Sequence, residues 1–369
     1  MSTKAERKIK LTRGVPPEEA LPCDLVQDCC ARALAEHGEV LLQYHPATGF
    51  GPLRELLAAE AGAPPEALLV GNGSIQLLFF LAQGWLSPGD VVAVERPTYD
   101  RAVTAFRTLG LHVVGVRMED DGPELACLEE VVRRHSPRLF YTVPDFQNPT
   151  GVTTSAAKRE AIAGLAAETG MLIVEDIPYR RLRYWGQDVP TYRELLAGQV
   201  VQLSSFSKLL APGLRVGWAL AQPELTATMA KLAEDAYITP GMLAQGVVYQ
   251  FLRGGYLADN LAALKRLYRP RLAAMLTALE EHLPDGRWVE PEGGFFVGLT
   301  LPAGVDAAAV AAVARREEGL VLSDSAGFFA DGDSSWFVRL PFCALNEEEI
   351  DEAVARLARA AATVRSRRR

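Results

Sequence analysis

The sequence from residue 200 to residue 215 reads VVQLSSFSKLLAPGLR. Its first residues are apolar and β-branched, which favours a buried strand, and a polar loop follows with three serines around Lys208. Arg215 lies seven residues after this lysine. Hydroxyl groups and a guanidinium suit a phosphate dianion, and a lysine beside them suits a Schiff base with an aldehyde. Taken alone, the run fits a surface lysine in a polar loop equally well.

Short apolar segments of the same kind recur along the chain and alternate with stretches of helical period. This alternation predicts a mainly parallel sheet covered by helices on both faces. Ligands of such sheets bind at the carboxyl ends of the strands, so the loops that follow the strands are the candidate site. The predicted strands of this sheet are residues 67–70, 91–95, 112–117, 139–143, 171–175, 200–204 and 217–221.

The C-terminal third has a different pattern. Residues 242–283 are almost entirely helical, and strands predicted at 288–289, 295–299 and 336–340 follow, with helices at 307–317 and 347–364. We therefore expect an α/β protein with three-layer architecture and a smaller α+β domain. Its expected parts are an N-terminal segment (1–39) that packs on the small domain, a large domain (40–282) and a small C-terminal domain (283–369).

Composition excludes several classes of function. The net charge is −8 and the basic residues are spread along the chain, which argues against nucleic acid as a partner. The sequence has no signal-peptide core and no apolar run of about 20 residues, so we expect no membrane span. Its five cysteines include no C-x-x-C pair, which indicates reduced thiols in a cytoplasmic protein and argues against structural zinc.

Three further loops carry polar residues where predicted strands end. Gly71-Asn72-Gly73-Ser74 joins a strand to a helix, so its amides could hold an anion, or it could be an ordinary turn. Glu175 and Asp176 end another strand; one of these carboxylates could hold a protonated pyridine nitrogen or cap a helix. Asn148-Pro149-Thr150-Gly151 is typical of a turn and, beside the other loops, of a cofactor loop.

Four motifs occur together: Asn148-Pro149-Thr150-Gly151, Asp176-x-x-Tyr179, Ser205-x-x-Lys208 and Arg215. In order and separation they resemble the fold-type I aminotransferases of class I and II, which depend on pyridoxal 5'-phosphate (PLP). The strings at 146–151, 175–179, 205–215 and 291–296 most resemble the 2-aminoadipate aminotransferase-like group, which also occurs in MocR-type regulators. The resemblance covers roughly residues 11–357 and implies the fold-type I architecture and PLP as the cofactor.

The resemblance also implies a role for each matched residue. Lys208 would bind the cofactor aldehyde and then move a proton between the substrate Cα and the cofactor. Asp176 would pair with the pyridinium nitrogen, and Tyr99 would stack on the ring. Asn148 and Tyr179 would form hydrogen bonds to the ring oxygen. The phosphate would be bound by Ser74, the amide of Ile75, Ser205, Ser207 and Arg215.

Substrate and subunit contacts follow from the same resemblance. Arg339 would hold the substrate α-carboxylate by a two-pronged hydrogen bond, with Asn148 beside it. Tyr44 matches a tyrosine that reaches the phosphate of the neighbouring subunit, which implies a homodimer with shared active sites. The expected partners are therefore an amino acid, a 2-oxo acid and a second copy of the chain.

The sequence departs from the usual family pattern at several positions. Arg13 stands where a glycine is usual, and could bind a distal substrate carboxylate or face solvent. Ile75 stands where a polar residue, often Gln, is common, and Asp145 replaces a frequent Asn. Residues 323–327 differ from a usual Pro-Gly-rich loop. These departures concern the substrate rather than the cofactor.

The expected activity is transfer of an amino group from an L-amino acid to a 2-oxo acid, by resemblance 2-oxoglutarate, through a ping-pong mechanism. Lys208 must then act as a neutral base, so its pKa must lie well below that of a free lysine. A PLP enzyme of another reaction type (decarboxylation, elimination or substitution, or oxidation) would use the same cofactor residues. A non-catalytic regulator is disfavoured, because only about ten residues precede the first motif and the charge is acidic.

Overall fold

The structure, a computed structural model, describes residues 8–367. Its strands are β1 (Ile9–Leu11), β2 (Leu68–Gly71), β3 (Val91–Arg96), β4 (His112–Glu119), β5 (Gly122–Pro123), β6 (Leu139–Thr142), β7 (Leu172–Asp176), β8 (Val200–Ser205), β9 (Gly217–Leu220), β10 (Phe296–Thr300), β11 (Leu320–Leu322) and β12 (Phe337–Pro341). Its α-helices are α1 (Cys23–Leu41), α2 (Gly51–Glu60), α3 (Ser74–Trp85), α4 (Asp100–Thr108), α5 (Leu125–His135), α6 (Ala156–Thr169), α7 (Tyr192–Leu196), α8 (Pro223–Tyr237), α9 (Met242–Arg253), α10 (Leu257–His282), α11 (Ala307–Glu317) and α12 (Glu347–Arg367).

One large sheet has the strand order β2-β9-β8-β7-β6-β3-β4-β5. Strands β4, β3, β6, β7 and β8 are parallel, and β9 is antiparallel to both of its neighbours. Helices cover both faces: Ile173 of β7 packs in a cluster with α5 and α6, and the next residue, Val174, packs in the cluster that contains α3 and α4. The predicted three-layer α/β architecture is therefore confirmed.

The seven strands predicted for this sheet are all found, with ends displaced by at most two residues. The strand predicted at 288–289 was wrong: these two residues lie in no strand, and the neighbouring Arg287 forms an isolated bridge with Thr300. The amide of Gly298, which could have continued that pairing, donates instead to the carbonyl of Thr150 at 3.1 Å. The hydrogen bonding that would make a second strand is therefore used elsewhere.

The N-terminal segment is divided between two neighbours. Strand β1 pairs in parallel with β11 of the C-terminal region. Helix α1 packs mainly against α9. A Cβ on Gly246 of α9 would lie 2.6 Å from Leu41 Cδ1, so the absence of a side chain there permits the close approach. We propose a domain boundary near residue 283, directly after α10, whose partner in the C-terminal region is α12.

Of the helices between residues 8 and 367, each is too short or too polar to cross a membrane.

Candidate active site

A cavity of about 560 Å³ lies beyond the carboxyl ends of β6, β7 and β8. It brings together every predicted site residue except one. Those that line it are Arg13, Ser74, Ile75, Tyr99, Asn148, Asp176, Tyr179, Ser205, Ser207, Lys208, Arg215 and Arg339. Tyr44 lies outside it and is 75% exposed. A larger cavity of about 930 Å³ shares only Ser205 with this set, so we place the chemistry in the smaller one.

Lys208 lies in the turn that follows β8. Its Nζ donates a hydrogen bond to the carbonyl of Gly14 at 2.8 Å and lies 5.6 Å from the ring centroid of Phe295. Burial lowers the pKa of Lys208, and the positive charges of Arg339 and Arg215 lower it further. The neutral amine, which can attack an aldehyde or accept a proton, is therefore favoured relative to that of a free lysine.

Asp176 is the last residue of β7 and is buried. The hydroxyl of Tyr141 donates a hydrogen bond to its Oδ2 at 2.9 Å, and its buried Oδ1 has no partner among the described residues. The two side chains meet because Tyr141 of β6 is in register with Val174, which lies two residues before Asp176 and therefore on the same face. Burial raises the pKa of Asp176 to about 7. An unpaired carboxylate oxygen in a low-dielectric site favours a cationic partner.

A cationic group lies where α3 begins. The guanidinium of Arg215 donates to Ser207 Oγ at 3.3 Å and to the carbonyl of Asn72 at 3.2 Å. A Cβ on Gly73 would lie 2.3 Å from Arg215 Nη2, and Gly73 has φ +103°, so both contact and conformation require glycine. The first amides of α3, from Ser74 onward, add the positive end of the helix dipole. This arrangement suits a phosphate dianion.

Arg339 lies at the middle of β12, and its guanidinium is close to two aromatic rings. Its guanidinium carbon lies 4.9 Å from the ring centroid of Phe296 and 4.5 Å from that of Phe328. It donates to Asn148 Oδ1 at 3.0 Å and to the carbonyl of Thr12 at 2.6 Å. Its Nε is buried and has no partner within residues 8–367. A buried cation with a free donor is suited to bind a carboxylate.

Two backbone carbonyls of the N-terminal segment complete the site, and sequence reasoning missed both. Thr12 and Gly14 accept hydrogen bonds from Arg339 and Lys208. A Cβ on Gly14 would lie 2.4 Å from the ring of Phe296, so a side chain here would displace the segment. A carbonyl carries no sequence signal, since every residue has one. Tyr141 was also missed, and its one signal was a polar tip in a predicted buried strand.

Asp145, one of the departures from the family pattern, does not line the cavity. It is fully buried and accepts hydrogen bonds from Arg159 Nη2 at 2.9 Å and from Arg180 Nη1 at 3.2 Å. Arg159 is itself completely buried, so the two charges compensate each other. The bond to Arg159 ties the loop that carries Asn148 to α6, and the bond to Arg180 ties the same loop to the turn that follows Tyr179. We infer a structural role for this departure.

The described residues fit PLP at three points. The unpaired Oδ1 of Asp176 suits the ring nitrogen, the Arg215 group suits the phosphate, and Lys208 suits the aldehyde. All three line one cavity. The free donor of Arg339 in the same cavity suits a substrate carboxylate. Such a site can bind an amino acid beside the cofactor and move a proton at its Cα.

Comparisons with known proteins agree with this geometry. The family model described as aminotransferase class I and II matches residues 6–357. The 2-aminoadipate transaminase of Thermus thermophilus is 38% identical over 94% of this chain and 88% of that protein. The aromatic-amino-acid aminotransferase 1 of Thermococcus litoralis is 34% identical over 95% of this chain and 87% of that protein. The crystal structure of LysN, the alpha-aminoadipate aminotransferase of Thermus thermophilus in complex with N-(5'-phosphopyridoxyl)-L-leucine, aligns with a TM-score of 0.92 at 36% identity, covering 97% of this chain and 93% of LysN.

Proposed function

Because the chain belongs to the class I and II aminotransferases, we propose that the cavity around Lys208 transfers the amino group of an L-amino acid to 2-oxoglutarate. The chain is an aminotransferase and PLP is its cofactor. The related enzymes support amino transfer rather than the other PLP reactions that the sequence left open. The observation that carries the proposal is a partly buried lysine of lowered pKa in one cavity with Asp176 and Arg339.

When bound, PLP supplies an aldehyde that condenses with amines and a ring that accepts the electron pair left at the substrate Cα. In our proposal Lys208 would hold the cofactor through its aldehyde, and its Nζ would move the proton at the substrate Cα. Asp176 would hold the ring nitrogen through Oδ1, and Tyr99 would stack on the ring. Asn148 and Tyr179 would form hydrogen bonds to the ring oxygen.

The remaining predicted residues hold the two anions. Arg339 binds the α-carboxylate through its free Nε and through Nη2, which exchanges its bond to Thr12 for the substrate. This grip directs the Cα–H bond toward Lys208. The phosphate is held by Ser74, the amide of Ile75, Ser205, Ser207 and Arg215.

The experiment that tests the function is a spectroscopic half-reaction. Amino acids are added singly to the PLP-loaded enzyme without an acceptor, and the visible band expected at roughly 400–430 nm is followed. A productive donor should abolish this band, and 2-oxoglutarate should restore it. If the band returns without an acceptor while carbon dioxide is released or oxygen is consumed, the function is not transamination. If only a different oxo acid restores it, the acceptor assignment is wrong.

Arg13 is proposed to bind the distal carboxylate of an acidic donor. Its side chain is exposed at the cavity, and it has no hydrogen-bond or ion-pair partner among residues 8–367. We expect Arg13→Gly to raise KM for glutamate and 2-aminoadipate by about 10–100-fold, the value of one charged hydrogen bond. KM for leucine serves as the internal control and should stay within about twofold, since it has no distal charge. An equal change for acidic and apolar donors would refute this role.

A homodimer is proposed from an exposed apolar surface. Leu42, Tyr44 and Ile238 are 74%, 75% and 59% exposed, and their segments adjoin through hydrogen bonds between His45 and Thr239. Sedimentation should therefore give a dimer, and Ile238→Glu should shift it toward monomer. Tyr44→Phe keeps the apolar surface and should leave the dimer intact while PLP binding weakens by a few-fold, since only a hydroxyl is lost. A monomeric wild-type enzyme would overturn the shared-site assignment.

We also propose a cytoplasmic location. The support is that all five cysteines are free thiols, three of them buried. Fractionation of the source cells with an antibody against the chain tests the location, and recovery outside the cytoplasm would contradict it.

A further inference from the structure

Tyr141 is a buried tyrosine whose only polar side-chain atom, the hydroxyl oxygen, forms a hydrogen bond within the candidate active site. The side chain is fully buried, and its ring packs edge-on against Phe106 with centroids 6.0 Å apart. Its hydroxyl donates to Asp176 Oδ2 at 2.9 Å. Burial, together with the negative charge of Asp176, raises the pKa of the Tyr141 phenol, so the hydroxyl keeps its proton and remains a donor.

We propose that Tyr141 is a positioning residue that keeps Asp176 ionised and turns its Oδ1 toward the cofactor ring nitrogen. The inference rests on the proposed pairing of Asp176 with that nitrogen. A carboxylate in a buried site can neutralise itself by taking up a proton, and it then cannot stabilise a proton on the ring. A hydrogen bond to Oδ2 favours the ionised form and also fixes the torsion of the carboxylate.

The other groups around Asp176 do not duplicate this role. Tyr99 lies directly before α4 and Tyr179 lies shortly after β7. The negative charge of Asp176 contributes to raising the pKa of both phenols. Burial raises the pKa of both phenols, so both stay neutral at physiological pH. Lys208 and Arg215 line the same cavity from the segment after β8. Within residues 8–367, the hydrogen bond that Asp176 accepts from a side chain comes from Tyr141.

The sign of the pH effect follows from these contacts. Burial raises the pKa of Asp176 to about 7, and the Tyr141 hydrogen bond lowers it. Without that bond the pKa rises further, so a larger fraction of Asp176 is protonated at neutral pH. The loss is largest at low pH and is recovered as pH rises above the new pKa.

The test measures PLP dissociation constants of the cofactor-free enzyme between about pH 6 and about pH 9, a range that brackets this titration. The variant is Tyr141→Phe, which keeps the ring. Its matched control is Tyr192→Phe on α7: Tyr192 is also fully buried, and its hydroxyl has no partner among the described residues. We expect Tyr141→Phe to weaken PLP binding by about tenfold at neutral pH, as for one hydrogen bond to a charged group. The pH midpoint for tight binding should move upward, and the control should match the wild type.

Unchanged PLP affinity in Tyr141→Phe would overturn the proposal. Equal weakening at every pH would also overturn it, because a merely structural role predicts a loss without a displaced midpoint. Asp176→Asn, measured in parallel, distinguishes the two levels of inference. If that variant also binds PLP as the wild type does, the pairing of Asp176 with the cofactor fails, and the role of Tyr141 fails with it. If Tyr141→Phe binds PLP as the wild type does but Asp176→Asn binds it more weakly, only the inference about Tyr141 is wrong.

Discussion

Replacement of Lys208 by alanine is expected to lower kcat for amino transfer by at least about 10⁴-fold, because the variant loses both the covalent attachment of PLP and the base at Cα. General base catalysis alone contributes about 10²–10⁴-fold. Among the residues that line the cavity, Lys208 is the only amine, so no neighbour can replace it. The substitution also removes the amine whose pKa burial lowers and whose neutral form is thereby favoured.

The measurement is a single-turnover reaction of each enzyme with an amino acid at saturating PLP. Lys231→Ala is the control, since Lys231 lies on α8 with its side chain 66% exposed and pairs only with its own helix. A small primary amine added to Lys208→Ala should restore part of the proton transfer, because it supplies a base to the vacated space. Near-normal turnover of Lys208→Ala without added amine would refute the assignment.

Asp176→Asn is expected to lower kcat by about 10²–10³-fold, the loss found when one preorganised electrostatic partner of a developing charge is removed. Asparagine has nearly the same shape, and Tyr141 can still donate to its carbonyl oxygen, so the pocket should keep its form. The variant cannot hold a positive charge on the ring nitrogen. The measurement is kcat for the best donor, with circular dichroism to verify the fold. A loss of less than about threefold would show that the carboxylate is not the partner of the nitrogen.

Asp176 also makes a pH-dependent contribution to the stability of the cofactor-free enzyme. Burial raises its pKa from 3.8 to about 7, so the folded state favours the protonated form. The stabilising contribution is therefore fully present below the unfolded value and is lost as pH rises through about 7. This difference in pKa between the unfolded and folded states corresponds to at most about 4 kcal/mol of unfolding free energy. Urea unfolding at several pH values should show wild type losing stability relative to Asp176→Asn over this window.

Much of the protein was predictable because its sequence patterns are local. The apolar runs that form β6, β7 and β8 predicted buried parallel strands, and polar residues directly after them predicted one site at their carboxyl ends. The sheet has this form, and the predicted site residues other than Tyr44 line one cavity. The alternation of apolar and polar residues has a period of 2 in strands and 3.6 in helices, and it depends only on whether each residue faces the core or solvent. Such patterns can therefore be recognised in the sequence wherever one face of an element is buried.

Contacts between distant segments were decided only by the tertiary structure. Tyr141 reaches Asp176 because β6 and β7 are neighbours in one particular register, and a shift by one residue would turn Tyr141 to the opposite face. Helix α1 could have packed on either part of the molecule, and Gly246 of α9 accommodates it by leaving room for Leu41. The buried ion pair between Asp145 and Arg159 likewise joins two segments, and no local sequence pattern in either segment predicts this contact.

The N-terminal carbonyls show the same limit most directly. Lys208 and Arg339 are bonded to the backbone of Gly14 and Thr12, which lie 194 and 327 residues away in the chain. Side-chain chemistry pointed to Lys208, to Arg215 and to one of the two carboxylates at the end of β7, and the resemblance to the aminotransferases added Arg339. Backbone groups are the same in every residue, so the sequence determined which side chains could act, and the tertiary structure alone determined which carbonyls and which neighbouring strand hold them in place.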